Sequence, residues 1–281
     1  MQTLYDVPAP AKLNLFLHIT GRRPDGYHLL QSVFMLIDWC DILHLEVRPD
    51  GVCSREDLSE RLPANDLSLR AARALQAATG CAMGVHIAVN KRIPAQAGMG
   101  GGSSDAASVL LALNRLWRLG LSARQLVHIG LGLGADVPFF LCGQHAWVEG
   151  IGEHITPITL PPARFVVVKP PQGLDTAKIF CDPYLKRDDE RAILSGFAAH
   201  PYDFGRNTLQ PVAERLCPEV GQAVMLLAKH QLFGRMTGSG SAVFARLSGQ
   251  DDVPEALPDW RVRVCGNLDV HPLFGWASSD D

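Results

Sequence analysis

Three segments in the first part of the chain alternate between apolar and polar residues, which is the pattern of β-strands that bury one face. They are residues 12–19, 41–47 and 85–89. A continuous apolar run over residues 29–37 predicts a further, buried strand. In the first segment the alternation directs leucine and isoleucine side chains to one face and places Lys12 and Asn14 side by side on the other. A solvated edge and a ligand-binding face both fit this pair.

Two segments carry apolar residues at helical spacing instead. The first, Leu67 to Thr79, follows Asn65 or Asp66 as a capping residue and stops at Gly80. The second covers residues 106–117 and is apolar over most of its length. Gly120 is expected to stop this second helix.

The composition changes at the proline-rich residues 156–163, which predicts a domain boundary. The predicted domains are residues 1–157 and residues 158–281. Beyond the boundary, short apolar strands enclose segments with helical character, so the second domain is predicted to be a compact α+β unit. One of its predicted short helices covers residues 253–257.

The 281-residue chain is 47% hydrophobic and 20% charged, and its formal charge of −3 argues against a nucleic acid or a membrane as its main partner. Its seven cysteines include no C-x-x-C pair, and its ten histidines include no H-E-x-x-H spacing. We therefore expect reduced cysteines and a cytoplasmic location, without a signal peptide or a membrane span. Nothing in the sequence selects an oligomeric state.

Glycines concentrate between a predicted strand and a predicted helix, where residues 94–104 read Pro-Ala-Gln-Ala-Gly-Met-Gly-Gly-Gly-Ser-Ser. Glycine lets a backbone approach a ligand closely, and the start of a helix offers free N–H groups and a positive dipole end. These features favour a phosphate site, with a flexible turn as the alternative. The loop lacks the Gly-Lys-Ser/Thr of a Walker A motif, and Ser103 stands at the last glycine of G-x-G-x-x-G.

Asp136 follows glycines and directly precedes Val137, Pro138 and two phenylalanines. An aspartate in this position is typical of a helix N-cap. It also suits a partly buried carboxylate that accepts a proton during catalysis. The two roles are compatible.

Five stretches, in this order, resemble the GHMP kinases, which are small-molecule kinases with a glycine-rich loop unlike Walker A. The stretches are Pro-Ala-Lys-Leu-Asn-Leu-Phe-Leu at 10–17, Gly-Arg-Arg-Pro-Asp-Gly-Tyr-His at 21–28, Gly-Met-Gly-Gly-Gly-Ser-Ser at 98–104, Leu-Gly-Ala-Asp-Val-Pro at 133–138 and Met-Thr-Gly-Ser-Gly-Ser-Ala-Val-Phe at 236–244. The match extends over nearly the whole chain. Each motif alone is moderately specific, and all five together are strongly specific.

The resemblance implies a two-domain α+β fold, the GHMP kinase fold. In this fold the N-terminal α/β domain is like domain 2 of ribosomal protein S5 and has a left-handed crossover. The C-terminal domain is ferredoxin-like. The site lies between the two domains. The resemblance also implies ATP as co-substrate, with Mg²⁺ held mainly through the ATP phosphates. The expected acceptor is the 2-hydroxyl of a cytidine-diphosphate-linked polyol, a methylerythritol.

The resemblance also implies the site residues, position by position. The catalytic pair is Lys12 and Asp136. The ATP-binding residues are Asp66, Pro94, Ala95, Gln96, Ala97, Gly98, Met99, Gly100, Gly101, Gly102, Ser103 and Ser104. The substrate-binding residues are Asn14, Tyr27, His28, Lys91, Thr176 and Phe180. Tyr27 and His28 are expected to hold the cytosine.

Some positions depart from the family pattern. Gln96 and Ala97 replace loop glycines, Asp105 replaces a common asparagine, and Asp66 takes the place of an asparagine that contacts adenine. The rival hypotheses are a kinase of another alcohol such as mevalonate or homoserine, a dinucleotide-dependent oxidoreductase, and a nucleotide-binding protein without turnover. The Asp-Gly-Tyr-His stretch argues against the first. The position of the loop after several strands argues against the second, and the presence of both catalytic residues argues against the third.

Overall fold

The computed structural model describes residues 2–249 and 252–279. The elements of the first part are β1 (Thr3–Arg22), β2 (His28–Arg48), β3 (Cys53–Asp57), α1 (Leu67–Thr79), β4 (Gly84–Asn90), α2 (Gly101–Leu116), α3 (Ala123–Leu131), α4 (Val137–Cys142), β5 (Ala146–Gly150) and β6 (His154–Pro157). Their strands form one sheet in the order β3-β4-β2-β5-β6, with β1 paired to β2.

Strands β1 and β2 form a long antiparallel hairpin on which the rest of this sheet is built. Its turn is closed by a hydrogen bond of 3.0 Å from the Gly26 N–H to the Arg23 carbonyl, and it contains Pro24, Asp25 and Gly26, residue types that favour turns. Strand β2 is continuous over 21 residues, whereas the sequence suggests separate strands over 29–37 and 41–47. The strand stays continuous because β1 pairs along its length while its other side pairs first with β5 and then with β4.

Helices α1 to α4 pack with this sheet around one hydrophobic core. Asp66 caps α1 by accepting hydrogen bonds from the backbone N–H groups of Ser68 and Leu69, and Gly80 ends the helix with a left-handed φ of 66°. Helix α2 contacts α1, α3, α4, β1 and β2. It therefore runs through the core.

The second part has its own sheet. Its elements are β7 (Arg164–Lys169), α5 (Thr176–Phe180), α6 (Leu194–Ala199), α7 (Gln210–Leu216), α8 (Pro218–Lys229), β8 (Arg235–Met236), β9 (Val243–Leu247) and β10 (Arg261–Gly266). The sheet order is β10-β7-β9-β8, with every neighbouring pair antiparallel. In chain order this is 4-1-3-2, the strand order of a ferredoxin-like unit, which confirms the predicted α+β class.

The predicted short helix at 253–257 is wrong. Residues 252–257 carry no regular secondary structure. Pro254 supplies no backbone N–H and restricts Val253 to extended conformations, and Pro258 follows directly after the segment. Of the apolar residues in this segment, Val253 packs against the core of the second part, whereas Leu257 is 45% exposed.

Both faces of β1 are covered. Leu13 and Leu15 lie in a core between the two sheets together with Phe165 and other aromatic residues. On the opposite face, Lys12 is 3% exposed and Asn14 is 1% exposed. The solvated-edge alternative for this pair is therefore wrong, because the glycine-rich loop and the loop before β9 lie against that face.

The last described residues return from the second sheet to the first part of the chain. The Leu268 N–H donates to the Leu36 carbonyl at 3.0 Å, and the His271 N–H donates to the Gly143 carbonyl at 2.8 Å. The two parts are thus tied together beyond β10, and the boundary between residues 157 and 158 stays a prediction.

All seven cysteines are unpaired. Throughout residues 2–249 and 252–279, no helix combines the length and the hydropathy that crossing a membrane requires.

The two parts also meet at a backbone crossing between the glycine-rich loop and the loop before β9. The Ser241 N–H donates to the Gln96 carbonyl at 3.1 Å. Gly98 has a φ of +72°, and a Cβ atom on it would lie 2.1 Å from the Thr237 carbonyl oxygen. Glycine is required here both by the left-handed backbone and by the contact.

We expect Gly98→Ala to destabilise the protein by about 2 kcal/mol or more, because its methyl group collides with backbone atoms that cannot move independently. The measurement is the free energy of unfolding in denaturant. Gly102→Ala is the matched control, since the nearest atom to its added Cβ is a Leu67 methyl carbon at 3.6 Å. That change lies in the first turn of α2 and should be neutral or stabilising by up to about 1 kcal/mol. Equal effects of the two variants would contradict the crossing.

Candidate active site

A cleft of about 900 Å³ opens between the two parts of the molecule. Its walls come from β1, β2, the glycine-rich loop with the start of α2, the residues before α4, helix α5 and the loop before β9. Nearly every residue that the sequence assigns to a site reaches this cleft, including the whole loop from Pro94 to Ser103. Tyr27, His28 and Ser104 are the assigned residues that do not line it.

The glycine-rich loop presents the start of α2 to the cleft. Gly100 is the N-cap residue, with a left-handed φ of 72° and no side-chain cap hydrogen bond. A Cβ atom on Gly100 would lie 3.0 Å from the Phe140 ring and 3.3 Å from the Lys12 stem. The Ser104 N–H bonds to the Gly100 carbonyl at 2.9 Å, so the N–H groups of residues 101–103 have no helical acceptor. Such a helix start favours an anion in the cleft.

Ser104 itself is fully buried, and its hydroxyl has no hydrogen-bond partner. It follows Ser103, which does reach the cleft. Successive helical residues point in different directions, and this separates the two hydroxyls. The assignment of Ser104 to ATP binding stays a prediction.

Lys12 holds a buried positive charge at the centre of the cleft wall. Its Nζ atom donates to the Asn14 Oδ1, lies 3.7 Å from the Asp136 Oδ2 and lies 4.8 Å from the centre of the Phe34 ring. Burial lowers the pKa of Lys12, and the Asp136 carboxylate partly offsets this effect. The ammonium therefore depends on Asp136 for its charge balance.

Asp136 occupies the N-cap position of α4, but its side chain makes no cap hydrogen bond. The carboxylate instead faces Lys12 and is 30% exposed. Both interpretations of this residue are thus partly met: the backbone is at the cap position, while the carboxylate is left for the cleft. A carboxylate with this exposure can accept a proton from a bound hydroxyl.

Asn14 is fixed by groups from two distant segments. Its backbone N–H donates to the Thr237 Oγ1 at 2.9 Å, and its side-chain amide donates to the Ser32 Oγ at 2.9 Å. These bonds leave the amide oxygen to accept from Lys12. Ser32 and Thr237 were not assigned to the site from the sequence, although Thr237 lies in one of the five motifs.

A buried cluster of two carboxylates and one ammonium lies beneath the start of α2. The Lys91 Nζ donates to the carboxylates of Asp41 and Asp105, the latter at 2.6 Å. Asp41 also accepts from the backbone N–H groups of Arg92 and Ile93 at 2.6 and 2.8 Å. Burial would lower the pKa of Lys91, but the two carboxylates together raise it. The sequence singled out Lys91 and Asp105 but gave no signal that Asp41 joins them.

In this cluster, ionisation is disfavoured at Asp105. Burial and the neighbouring Asp41 raise the pKa of Asp105 to about 7, although Lys91 acts in the opposite direction. Its Oδ1 atom is buried without a hydrogen-bond partner. Lys91 thus supplies one positive charge to two carboxylates that are shielded from water.

Asp66 lines the cleft, but its carboxylate is already in use. It accepts the two cap hydrogen bonds of α1 and a third at 2.6 Å from the Ser68 hydroxyl. It also forms an ion pair with Arg55. The assignment of Asp66 to ATP binding stays a prediction, and the capping role that the sequence suggested is confirmed.

The far end of the cleft is formed by α5 and the loop before β9. The Thr176 hydroxyl shares a hydrogen bond of 2.6 Å with the Ser239 hydroxyl, so the two elements touch across the cleft. Ser239 was missed by the sequence assignments, although the run Gly-Ser-Gly at 238–240 was a signal for close backbone approach. Phe180 ends α5 and also lines the cleft.

His28 lies behind Phe180, with ring centres 5.2 Å apart and planes inclined by 40°. The His28 Nε2 accepts a hydrogen bond of 3.0 Å from the Arg187 Nε, a residue that the sequence did not single out. Tyr27 is 60% exposed next to it. An exposed aromatic ring beside a cleft is suited to stacking on a planar ligand.

Throughout residues 2–249 and 252–279, no three histidine, cysteine, aspartate or glutamate side chains cluster in a way that could hold a metal ion. The cleft combines a helix start that attracts anions, a buried lysine and a partly exposed carboxylate. A phosphate-bearing ligand and a hydroxyl-bearing ligand both find partners in such a site, which is the requirement of phosphoryl transfer.

Comparison with known proteins gives consistent matches along the chain. Residues 66–144 match the family described as GHMP kinases N terminal domain, and residues 190–262 match GHMP kinases C terminal. A protein of Paracidovorax citrulli named 4-diphosphocytidyl-2-C-methyl-D-erythritol kinase is 66% identical, with 100% of both chains covered. A protein of Acidovorax sp. with the same name is 67% identical over 99% of each chain. A crystal structure of 4-(cytidine 5'-diphospho)-2C-methyl-D-erythritol kinase is 34% identical and has a TM-score of 0.75, covering 95% of this chain and 99% of that one.

The raised pKa of Asp105 predicts a pH-dependent effect of Asp105→Asn on stability. The folded protein holds this proton up to about pH 7, whereas an unfolded aspartate releases it near pH 4. The stability contributed by Asp105 therefore falls as the pH rises through this window. Asparagine does not ionise and still offers Lys91 an acceptor. The melting temperature of the variant minus that of the wild type should therefore increase as the pH rises from 5 to 8.

The measurement is thermal unfolding of both proteins between pH 5 and pH 8. Asp188→Asn is the control, since that carboxylate is 85% exposed and should give a nearly constant difference from the wild type. If the difference in melting temperature between Asp105→Asn and the wild type stayed constant or shrank toward pH 8, the raised pKa of Asp105 in the folded protein would be contradicted.

Proposed function

This chain belongs to the GHMP kinase family, and we propose that it transfers a phosphoryl group from ATP to the 2-hydroxyl of 4-diphosphocytidyl-2-C-methyl-D-erythritol. The products are ADP and the 2-phosphate, in the non-mevalonate synthesis of isoprenoid precursors. ATP is the co-substrate that this kinase family implies. Relatives that are 66% and 67% identical over nearly their whole length carry the name of this activity.

The observation that carries the proposal is the pairing of Lys12 with Asp136 at 3.7 Å in the cleft that the start of α2 enters. The two residues are separated by more than a hundred positions in the sequence and come from different elements. A protein that only bound a nucleotide would have no need to bury a lysine beside a carboxylate, because burying a charge is costly.

In the proposed reaction the acceptor hydroxyl lies within reach of Asp136. The hydroxyl oxygen forms a bond to the γ-phosphorus of ATP while the bond from that phosphorus to the leaving ADP oxygen breaks. The proton of the hydroxyl goes to the Asp136 carboxylate. Lys12, whose Nζ atom lies 3.7 Å from the Asp136 Oδ2, offsets negative charge that develops on the oxygens.

The phosphates of ATP would lie on the glycine-rich loop. The backbone N–H groups of residues 101–103 are the donors there, supported by the positive end of the α2 dipole. Mg²⁺ would supply charge neutralisation on the phosphates. The ion would be held mainly by the ATP phosphates and by water, and the Ser103 hydroxyl is an oxygen donor that reaches the cleft. Such a small number of protein ligands is usual for Mg²⁺.

The acceptor substrate would extend from Asp136 toward α5. Asn14 and Thr176 offer polar groups to the polyol, and Phe180, Tyr27 and His28 are the side chains we propose for cytosine. Lys91 gives two of its three N–H donors to Asp41 and Asp105, so one donor remains for a ligand. The grouping of aromatic side chains at this end favours an acceptor with a base over a small alcohol such as mevalonate.

The proposed activity is tested by incubating the purified protein with ATP, Mg²⁺ and 4-diphosphocytidyl-2-C-methyl-D-erythritol and measuring ADP. Mevalonate and homoserine in the same assay are the controls for the neighbouring kinase activities. Of the three acceptors, we expect only the cytidylated substrate to give ADP release. Faster turnover with mevalonate or homoserine would overturn the proposal, as would no turnover with any acceptor.

We expect Asp136→Asn to lower kcat by about 10²- to 10⁴-fold, the range for loss of a positioned general base. The KM values for both substrates should change little, because asparagine keeps the shape of the side chain. Asp175→Asn is the matched control: Asp175 also lines the cleft, but its side chain caps α5 through the Ala177 N–H at 2.9 Å. If both variants lost kcat equally, the assignment of the base would be wrong.

A further inference from the structure

The guanidinium group of Arg187 is held at four points. Its Nη1 donates to the Leu185 carbonyl at 2.9 Å, and its Nη2 donates to the carbonyls of Asp182 at 2.7 Å and Phe180 at 3.4 Å. Its Nε donates to the His28 Nε2 at 3.0 Å. A planar group with this many bonds has little freedom to rotate, so it ties His28 to the end of α5.

The bond to His28 fixes the protonation of the imidazole. Arginine has only donors, so the His28 Nε2 must be the unprotonated nitrogen of the ring. The proton of the neutral ring is then on Nδ1. Burial lowers the pKa of His28, and the charges of Arg187 and Arg22 lower it further, which keeps the imidazole neutral near pH 7.

The same arginine sets the distance between His28 and Phe180. The two rings are 5.2 Å apart, and Arg187 bonds to the imidazole of one residue and to the backbone carbonyl of the other. His28 begins β2 and Phe180 ends α5, so the contact joins the two parts of the chain. Without Arg187, α5, a helix of only five residues, would lose this connection to β2.

We infer that Arg187 is a positioning residue for the acceptor substrate, which fixes His28 as the Nδ1–H tautomer and holds its ring at a set distance from Phe180. The inference rests on the proposed function, because it concerns the end of the cleft that would take the cytosine. A neutral ring with its free proton on Nδ1 offers a donor to the acceptor atoms of a pyrimidine. The opposite tautomer would present an acceptor in the same place.

The test uses Arg187→Met, which keeps most of the aliphatic stem and removes every donor, and Arg187→Lys, which keeps a charge and a single-atom donor. Arg191→Ala is the matched control. Arg191 lies on the same segment, is 71% exposed in its side chain and pairs with Glu149 at 2.8 Å. The steady-state measurements are kcat and the KM values for ATP and for the cytidylated substrate.

Arg187→Met should raise the KM for the cytidylated substrate by about tenfold, the equivalent of one lost hydrogen bond to a positioned group. The KM for ATP should stay within about twofold, since the glycine-rich loop does not contact Arg187, and Arg187→Lys should fall between Arg187→Met and the wild type. Arg191→Ala should match the wild type. A rise in both KM values, or none, would overturn the inference.

The second readout is the ¹⁵N spectrum of His28, which a purely structural role would not change. We expect the Nδ1–H tautomer in the wild type and in Arg191→Ala, and a mixture of tautomers with a higher His28 pKa in Arg187→Met, since that variant lacks one of the causes that lower it. An unchanged tautomer and pKa in Arg187→Met would also overturn the inference. If the wild type itself did not phosphorylate the cytidylated substrate, the proposed function would fail, and the spectrum would still test the link between Arg187 and His28.

Discussion

The buried ammonium of Lys12 is costly to remove from water, and much of the architecture compensates for it. The Asp136 carboxylate lies opposite the ammonium, and the Asn14 side-chain oxygen accepts a hydrogen bond from it. Asn14 in turn is held by Ser32 and Thr237, which come from the other strand of the hairpin and from the second part of the chain. The charge that the site uses therefore requires both parts to be folded and in contact.

The contact between the two parts depends on backbone close to backbone. Gly98 lies against the Thr237 carbonyl, and Gly238 lies against the Gly98 carbonyl, where a Cβ atom would be only 2.6 Å away. Side chains at these positions would separate the two loops and widen the cleft between them. The glycines of the loop thus differ in their surroundings, since Gly98 closes the junction while Gly100 to Gly102 line the cleft at the start of α2.

A second charged cluster lies beneath the same helix start. Asp41 fixes the backbone of residues 92 and 93, and Lys91 joins Asp41 to Asp105. This arrangement explains how Asp105 is accommodated beneath the start of α2, because Lys91 pairs with it inside the protein. The cost of this arrangement falls on Asp105, since burial and the neighbouring Asp41 carboxylate raise its pKa.

The sequence by itself determined the types of most elements, the α+β class, the cap of α1, and the motifs that carry the family resemblance. These features depend on neighbouring residues, because alternation, helical spacing and capping are local. It failed where local patterns conflict with packing or with proline: β2 is continuous across an expected break, and residues 253–257 are not a helix.

Only the tertiary structure decided that the polar face of β1 is buried, that Asp41 completes the Lys91 cluster, and that Arg187 holds His28. The last two residues are 159 positions apart, and Asp41 and Lys91 are 50 apart. No periodicity in a single sequence encodes such pairs, because they form only when distant elements pack together. The proposed reacting groups were thus found from local motifs, whereas their partners and charge balance came from the fold.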